Sequence, residues 1–302
     1  MTTETNSVNV EVEPAKSGST ILLDLYHFEL ASNLWKRFFL LGLESFVLMG
    51  FAIALVVLLK FPDGGTLALF FCSASLLERH HEILNENRRM IWSEGTSPWR
   101  ANSNTAISLF AIFCGIVTAH LVCSGYFLWT GQTATYESFY ALMLRHFIAY
   151  HHLSYLKGVT TILYMVLAGN FLLIGVLFFM GFLFRVYGVI LALGWGAYAW
   201  AIEWVRIFQS LNLSIGMMEE ANRAVLLRAG VVTGPYLTFE VFAFVLSALA
   251  GVFLSRAVTL YSPGSAQFRR VFRACIVLLL AASGLALLAC SIEVGIPLAF
   301  GF

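Results

Sequence analysis

Apolar residues in this chain come in long unbroken runs, not in strict alternation or narrow helical stripes. From Phe38 to Leu59 the only charged residue is Glu44. A membrane-crossing helix needs about 20 mainly apolar residues. Five stretches meet that length, at about 38–59, 106–130, 158–184, 231–255 and 274–296. A sixth, about 186–205, is uncharged from Val186 to Ile202. A seventh apolar stretch, "GGTLALFFCSASLL" at 64–77, is shorter than a full span. It fits a short crossing, a re-entrant arm or an interfacial helix. The expected fold is therefore all-α, a polytopic membrane helix bundle with six to seven transmembrane helices plus interfacial amphipathic helices.

The basic residues discriminate between six and seven. With the N-terminus cytoplasmic and the short stretch not crossing, eight Lys and Arg fall inside and ten outside. With the short stretch crossing, twelve fall inside and six outside. Cytoplasmic loops carry the excess of Lys and Arg, so seven crossings are favoured. Five of the six prolines sit at the ends of this map: Pro62 and Pro98 in loops, Pro235 opening a span, Pro263 in a turn and Pro297 closing the last span.

Composition agrees with a lipid environment. Of 302 residues, 59% are hydrophobic and 12% charged, about half the charge of a soluble domain, and the mean hydropathy is +0.81. A net charge of +1 gives no reason to expect a nucleic-acid partner. The five cysteines, Cys72, Cys114, Cys123, Cys275 and Cys290, all lie in apolar runs without a CxxC pair, and read as small buried hydrophobes. Residues 1–20 are polar and read as a disordered tail, leaving 21–302 as one membrane domain. Two connections are long. Residues 78–104 carry four Arg and four Glu, with Trp92 and Trp99 as interface anchors. Residues 136–157 place Phe139, Tyr140, Met143, Leu144, Phe147 and Ile148 at helical spacing, as in a helix lying on the membrane surface.

Acids within spans are the chemical signal, because a carboxylate in hydrocarbon is costly and usually faces protein or water. In the seven-crossing map Glu240 lies about 24 Å above Arg256, and Glu293 about 30 Å above Arg273, at 1.5 Å per residue. Glu203 ends its own span on the same side. The three carboxylates thus fall at similar depth. One reading is a shared polar pocket, with Asn170 and His120 as further candidates; the other is that each acid caps a helix or reaches the headgroups singly. His120, deep in its span, also reads as a buried histidine bonded to a neighbouring helix rather than a haem or metal ligand. For Glu240 the second reading places Gly234-Pro235 at the helix start, where the helix dipole favours negative charge. Glu44 lies near the opposite side. His80, His81, His146, His151 and His152 do not match a zinc spacing and read as solvated interfacial residues. No P-loop, GxSxG or nucleotide-binding glycine motif is present, so no catalytic residue, metal or cofactor is expected, and any driving ATPase would be a separate chain.

Four pieces in order carry a family resemblance: "NSNTAISLFAIFCGI" (102–116), "LAGNFLLIG" (167–175), "GPYLTFEVFAFVLSALAG" (234–251) and "SIEVGIPL" (291–298), with "SPGSAQFRR" (262–270) between the last two. Over roughly 100 to 300 the chain resembles the stage II sporulation protein M family of bacterial integral membrane proteins. The matching positions are Asn102, Asn104, Gly115, Gly234, Glu240, Glu293 and Pro297. The resemblance implies a multi-pass protein of the bacterial cytoplasmic (inner) membrane. It also implies a non-enzymatic scaffold for peptidoglycan-degrading enzymes, working as a homo-oligomer or in a heteromeric complex. The last two spans and their basic loop also look like permease subunits of ABC-2-type exporters. A transporter with an outer-side carboxylate pocket is therefore the alternative.

Overall fold

The computed structural model describes residues 34–92, 98–142, 144, 159–210 and 220–300. The polar tail, His146, His151, His152 and most of the surface helix expected at 136–157 lie outside these residues. Among the described residues the regular elements are nine α-helices: α1 (Leu34–Leu58), α2 (Gly64–Ser75), α3 (Leu77–Trp92), α4 (Pro98–Trp129), α5 (Thr133–Phe139), α6 (Val159–Phe184), α7 (Val186–Ser210), α8 (Glu220–Leu260) and α9 (Ala266–Phe300). Six of them are long and apolar enough to cross a membrane. The protein is thus a multi-spanning membrane helix bundle.

Each helix shows why it needs both a core and lipid. On α1, Leu41, Ser45, Met49, Ala52, Ile53 and Val56 face inward. Trp35, Phe39, Leu43, Val47, Phe51 and Leu58 form an exposed apolar face on the same helix. So large an apolar surface suits hydrocarbon rather than water. Helices then meet through small residues, since lipid tails are as apolar as leucine and give no hydrophobic drive to associate. A methyl group at Gly115 of α4 would overlap the carbonyl oxygen of Gly42 on α1. One at Gly181 of α6 would overlap that of Ala248 on α8.

The short stretch forms the return leg of α1. The chain turns through Lys60 and Asp63, both with positive φ, and Gly64 abuts Val56. Further along, Arg79 pairs with Glu44 and Arg37 with Glu86. The α2–α3 leg therefore runs antiparallel along the whole of α1. Its second half is polar, yet it lies against the bundle. His80 is buried and its Nδ1 sits 2.8 Å from the carbonyl oxygen of Leu76. This corrects the reading of His80 as solvated: one turn of helix brings the ring onto its own backbone. Asn87 is buried too, donating to Asn102 Oδ1 at 3.0 Å and Thr105 Oγ1 at 2.9 Å on α4.

Pairings between the remaining helices extend this course. Gly115 against Gly42 and Ser45 sets α4 beside α1, and Asp63 N–H donates to the Ser138 carbonyl, tying the first turn to α5. Arg185, in the left-handed region at φ 53°, is the single residue linking α6 to α7. Its guanidinium donates to Ser255 and Thr259 on α8. One end of the bundle, the basic end, thus gathers Arg37, Arg88, Arg185, Arg256 and Arg270. The opposite end holds the start of α2, all of α5, the C-terminal part of α7 and the far part of α9.

Three prolines sit differently from expectation. Pro98 is the first residue of α4, where a missing N–H costs nothing. Pro235 lies inside α8, which begins fifteen residues earlier at Glu220. Pro297 lies inside α9 rather than closing it. Within a bundle, neighbouring groups and local adjustments re-satisfy the carbonyls such prolines leave unbonded.

Candidate functional site

Four helices meet near the end opposite the arginines. Glu203 and Trp200 sit three residues apart on one face of α7, and Tyr236 and Glu240 four apart on one face of α8. Cys290 and Glu293 are three apart on α9, and Asn170 comes from α6. Tyr236, only 7% exposed, donates its Oη to Glu203 Oε1 at 3.1 Å. Asn170, 5% exposed, donates to Cys290 Sγ at 3.3 Å. The Glu240 carboxylate accepts hydrogen bonds from Asn170 and Trp200, and feels both Glu293 and Glu203 electrostatically. Tyr236 lies within the field of all three acids. Leu237, Ala289 and the partly buried Trp204, Phe239 and Ile292 close the surroundings with apolar surface.

Glu203, Glu240, Glu293 and Asn170 are therefore neighbours. His120 is not with them. It is fully buried on α4, with Nδ1 3.2 Å from Tyr140 Oη and its ring 5.1 Å from that of Tyr198. That trio packs beside α2, where Tyr198 crowds against Gly65. His120 thus belongs to a separate aromatic cluster, because its helix position faces α5 rather than α8. Glu240 also lies about five turns inside α8, so the helix-start explanation for its charge fails: the dipole acts only within the first turn. Asn102 is spent on Asn87 and Gly115 on contact with α1, while the Gly234 carbonyl accepts from Thr238 Oγ1 at 2.8 Å. The five cysteines are unpaired.

Beside the acids runs a cleft of about 560 Å³ between α2, α6, α7 and α8. Glu203 and Glu240 stand at one end. The walls are aromatic and aliphatic, among them Phe70, Leu173, Met180, Trp195, Trp200 and Phe244. Phe70, Leu173, Val176 and Trp195 on its rim are exposed, so the cleft opens sideways, toward where lipid would lie. Glu293 stands behind Glu240 and does not line it. Among the described residues no group of three His, Cys, Asp or Glu is placed to hold a metal ion. The sequence reading missed Tyr236, Trp200, Trp195 and Cys290. Helical spacing from the acids could have found three of them: Tyr236 precedes Glu240 by four, Trp200 precedes Glu203 by three, and Cys290 precedes Glu293 by three.

The chain matches no protein-family model, no curated protein and no solved structure.

Proposed function

We infer that this membrane protein is a transporter or permease subunit that binds an amphipathic cation, with the charged head at Glu203 and Glu240 and the apolar body along the cleft. The observation that carries this reading is the position of two carboxylates at one end of an otherwise aromatic and aliphatic cleft of drug-sized volume. Aromatic faces attract cations, most strongly where water is excluded. The hydrogen-bond donors to Glu240, Asn170 and Trp200, are neutral and supply no countercharge. The lateral opening suits a solute that first partitions into the bilayer. Asn170, Tyr236 and Glu293 act around the head site, orienting Glu240 and Glu203 and adding negative potential.

Reconstituted vesicles test this with tetraphenylphosphonium as the solute. The expected result is flux through the wild-type protein, driven by a membrane potential or a pH gradient or by a co-expressed ATPase, and loss of at least about tenfold in the Glu203→Gln/Glu240→Gln variant. No flux under any of these conditions contradicts it. The scaffold role implied by the resemblance makes a different forecast. Stoichiometric cell-wall enzymes would then come with the protein from native membranes, and Glu240→Gln would leave that capture unchanged.

A further inference from the structure

At the basic end, Arg88, Arg256 and Arg270 line a second cavity, of about 90 Å³, between α3, α8 and α9. One water needs about 10–15 Å³ by the same measure, so the space takes a polyatomic group. Each arginine stands four residues from an end of its helix: Trp92, Leu260 and Ala266 respectively. That is about 6 Å along the axis. Asn87, Asn102 and Tyr261 add polar lining. The half-buried Arg256 has Arg88 and Arg185 as its charged neighbours. Among the described residues neither Arg88 nor Arg256 forms an ion pair. Among the described residues the fold thus holds Arg88 and Arg256 together beside a cavity that has no carboxylate in its lining.

We propose that this cavity binds a phosphate group, the shared chemistry of an anionic phospholipid headgroup and of a small soluble phosphate. Guanidinium groups recognise phosphate through paired N–H donors and fixed charge. A basic pocket between helix ends is the arrangement that takes anionic headgroups. The site shares no lining residue with the carboxylate cleft, whose acids lie toward the other end of the bundle.

Thermal unfolding of the purified full chain in detergent tests it, with phosphatidylglycerol, inorganic phosphate or phosphatidylcholine added. A ligand bound only by the folded state raises the midpoint with concentration. The expected result is a rise with phosphatidylglycerol, smaller or absent with phosphatidylcholine, and reduced by more than half in Arg88→Gln/Arg256→Gln. Arg256→Lys, which keeps the charge, is the second variant and retains most of the rise. An equal rise with inorganic phosphate identifies a soluble phosphate as the source and supports the site. No rise with either anion, or the same rise in wild type and in the double Gln variant, overturns it.

Discussion

Glu44 and Glu240 each sit inside an apolar helix, yet they are held in different ways. Glu44 accepts from Arg79 at 3.1 Å, and Arg79 also pairs with Glu82 one turn along. Close by, Arg37 pairs with Glu86 at 2.7 Å. In this half of the bundle a carboxylate meets a guanidinium, and the pair staples the polar part of the return leg to α1. Glu240 meets two neutral donors and two further acids, and it borders a cleft rather than a neighbouring helix surface. The same residue type in the same apolar context therefore serves two ends. A paired charge is committed to the fold, whereas Glu240 has no cationic partner of its own, which is what the proposed cation would supply. The expected signature is a split between stability and binding.

The largest effect should come from breaking a staple. Arg37→Ala strands Glu86 inside the bundle and should cost about 3 kcal/mol, the lower end of the range for an orphaned buried charge. Thermal unfolding in detergent measures it. Arg79→Gln removes the shared partner of Glu44 and Glu82. Because Glu82 is more open to its surroundings, the loss should be smaller, about 2 kcal/mol. Neither variant should change tetraphenylphosphonium affinity by more than about twofold, since both staples are remote from the cleft and distant effects add independently. Glu240→Gln should show the opposite split. Affinity falls at least about tenfold, or 1.4 kcal/mol, while the unfolding midpoint holds or rises, because an acid is removed from beside two others. Tyr236→Phe is the mildest change. Losing one hydrogen bond to Glu203 should weaken binding about threefold, near the lower end of the net worth of such a bond, and titration followed by fluorescence measures it. A variant that lowered stability and binding together would erase the distinction between the two halves.

Much of the architecture was legible because run length alone marks a span in hydrocarbon. Counting along a helix draws on a similar regularity: the rise per residue is uniform, so the distance from an arginine at one end can be counted to every acid along it. Glu203, Glu240 and Glu293 were alignable by counting, though the partners that surround them were not. The polar return leg was harder. Residues 78–92 carry so much charge that they look like a loop, and only the pairing of Arg79 with Glu44 and of Glu86 with Arg37 shows why they lie against α1. No periodicity within one segment announces a partner 35 residues away. Proline misled for a local reason. Its geometry favours helix starts, which suited Pro98, but Pro235 and Pro297 sit within helices whose surroundings tolerate them. His120 is buried and bonded to a neighbouring element as read, but it stands apart from the acids, because helix face was not readable from the run.

The proposed cation site at the carboxylate end of the cleft can be read by fluorescence. Trp195 and Trp200 line that cleft, so their fluorescence reports its occupancy directly. Tetraphenylphosphonium should be titrated into the purified protein and into Glu240→Gln, with an uncharged analogue of the same shape as control. A saturable change is expected in the wild-type protein, at least about tenfold weaker in the variant and weaker still for the neutral analogue. Equal response of wild type and variant, or equal response to the charged and neutral compounds, would contradict it.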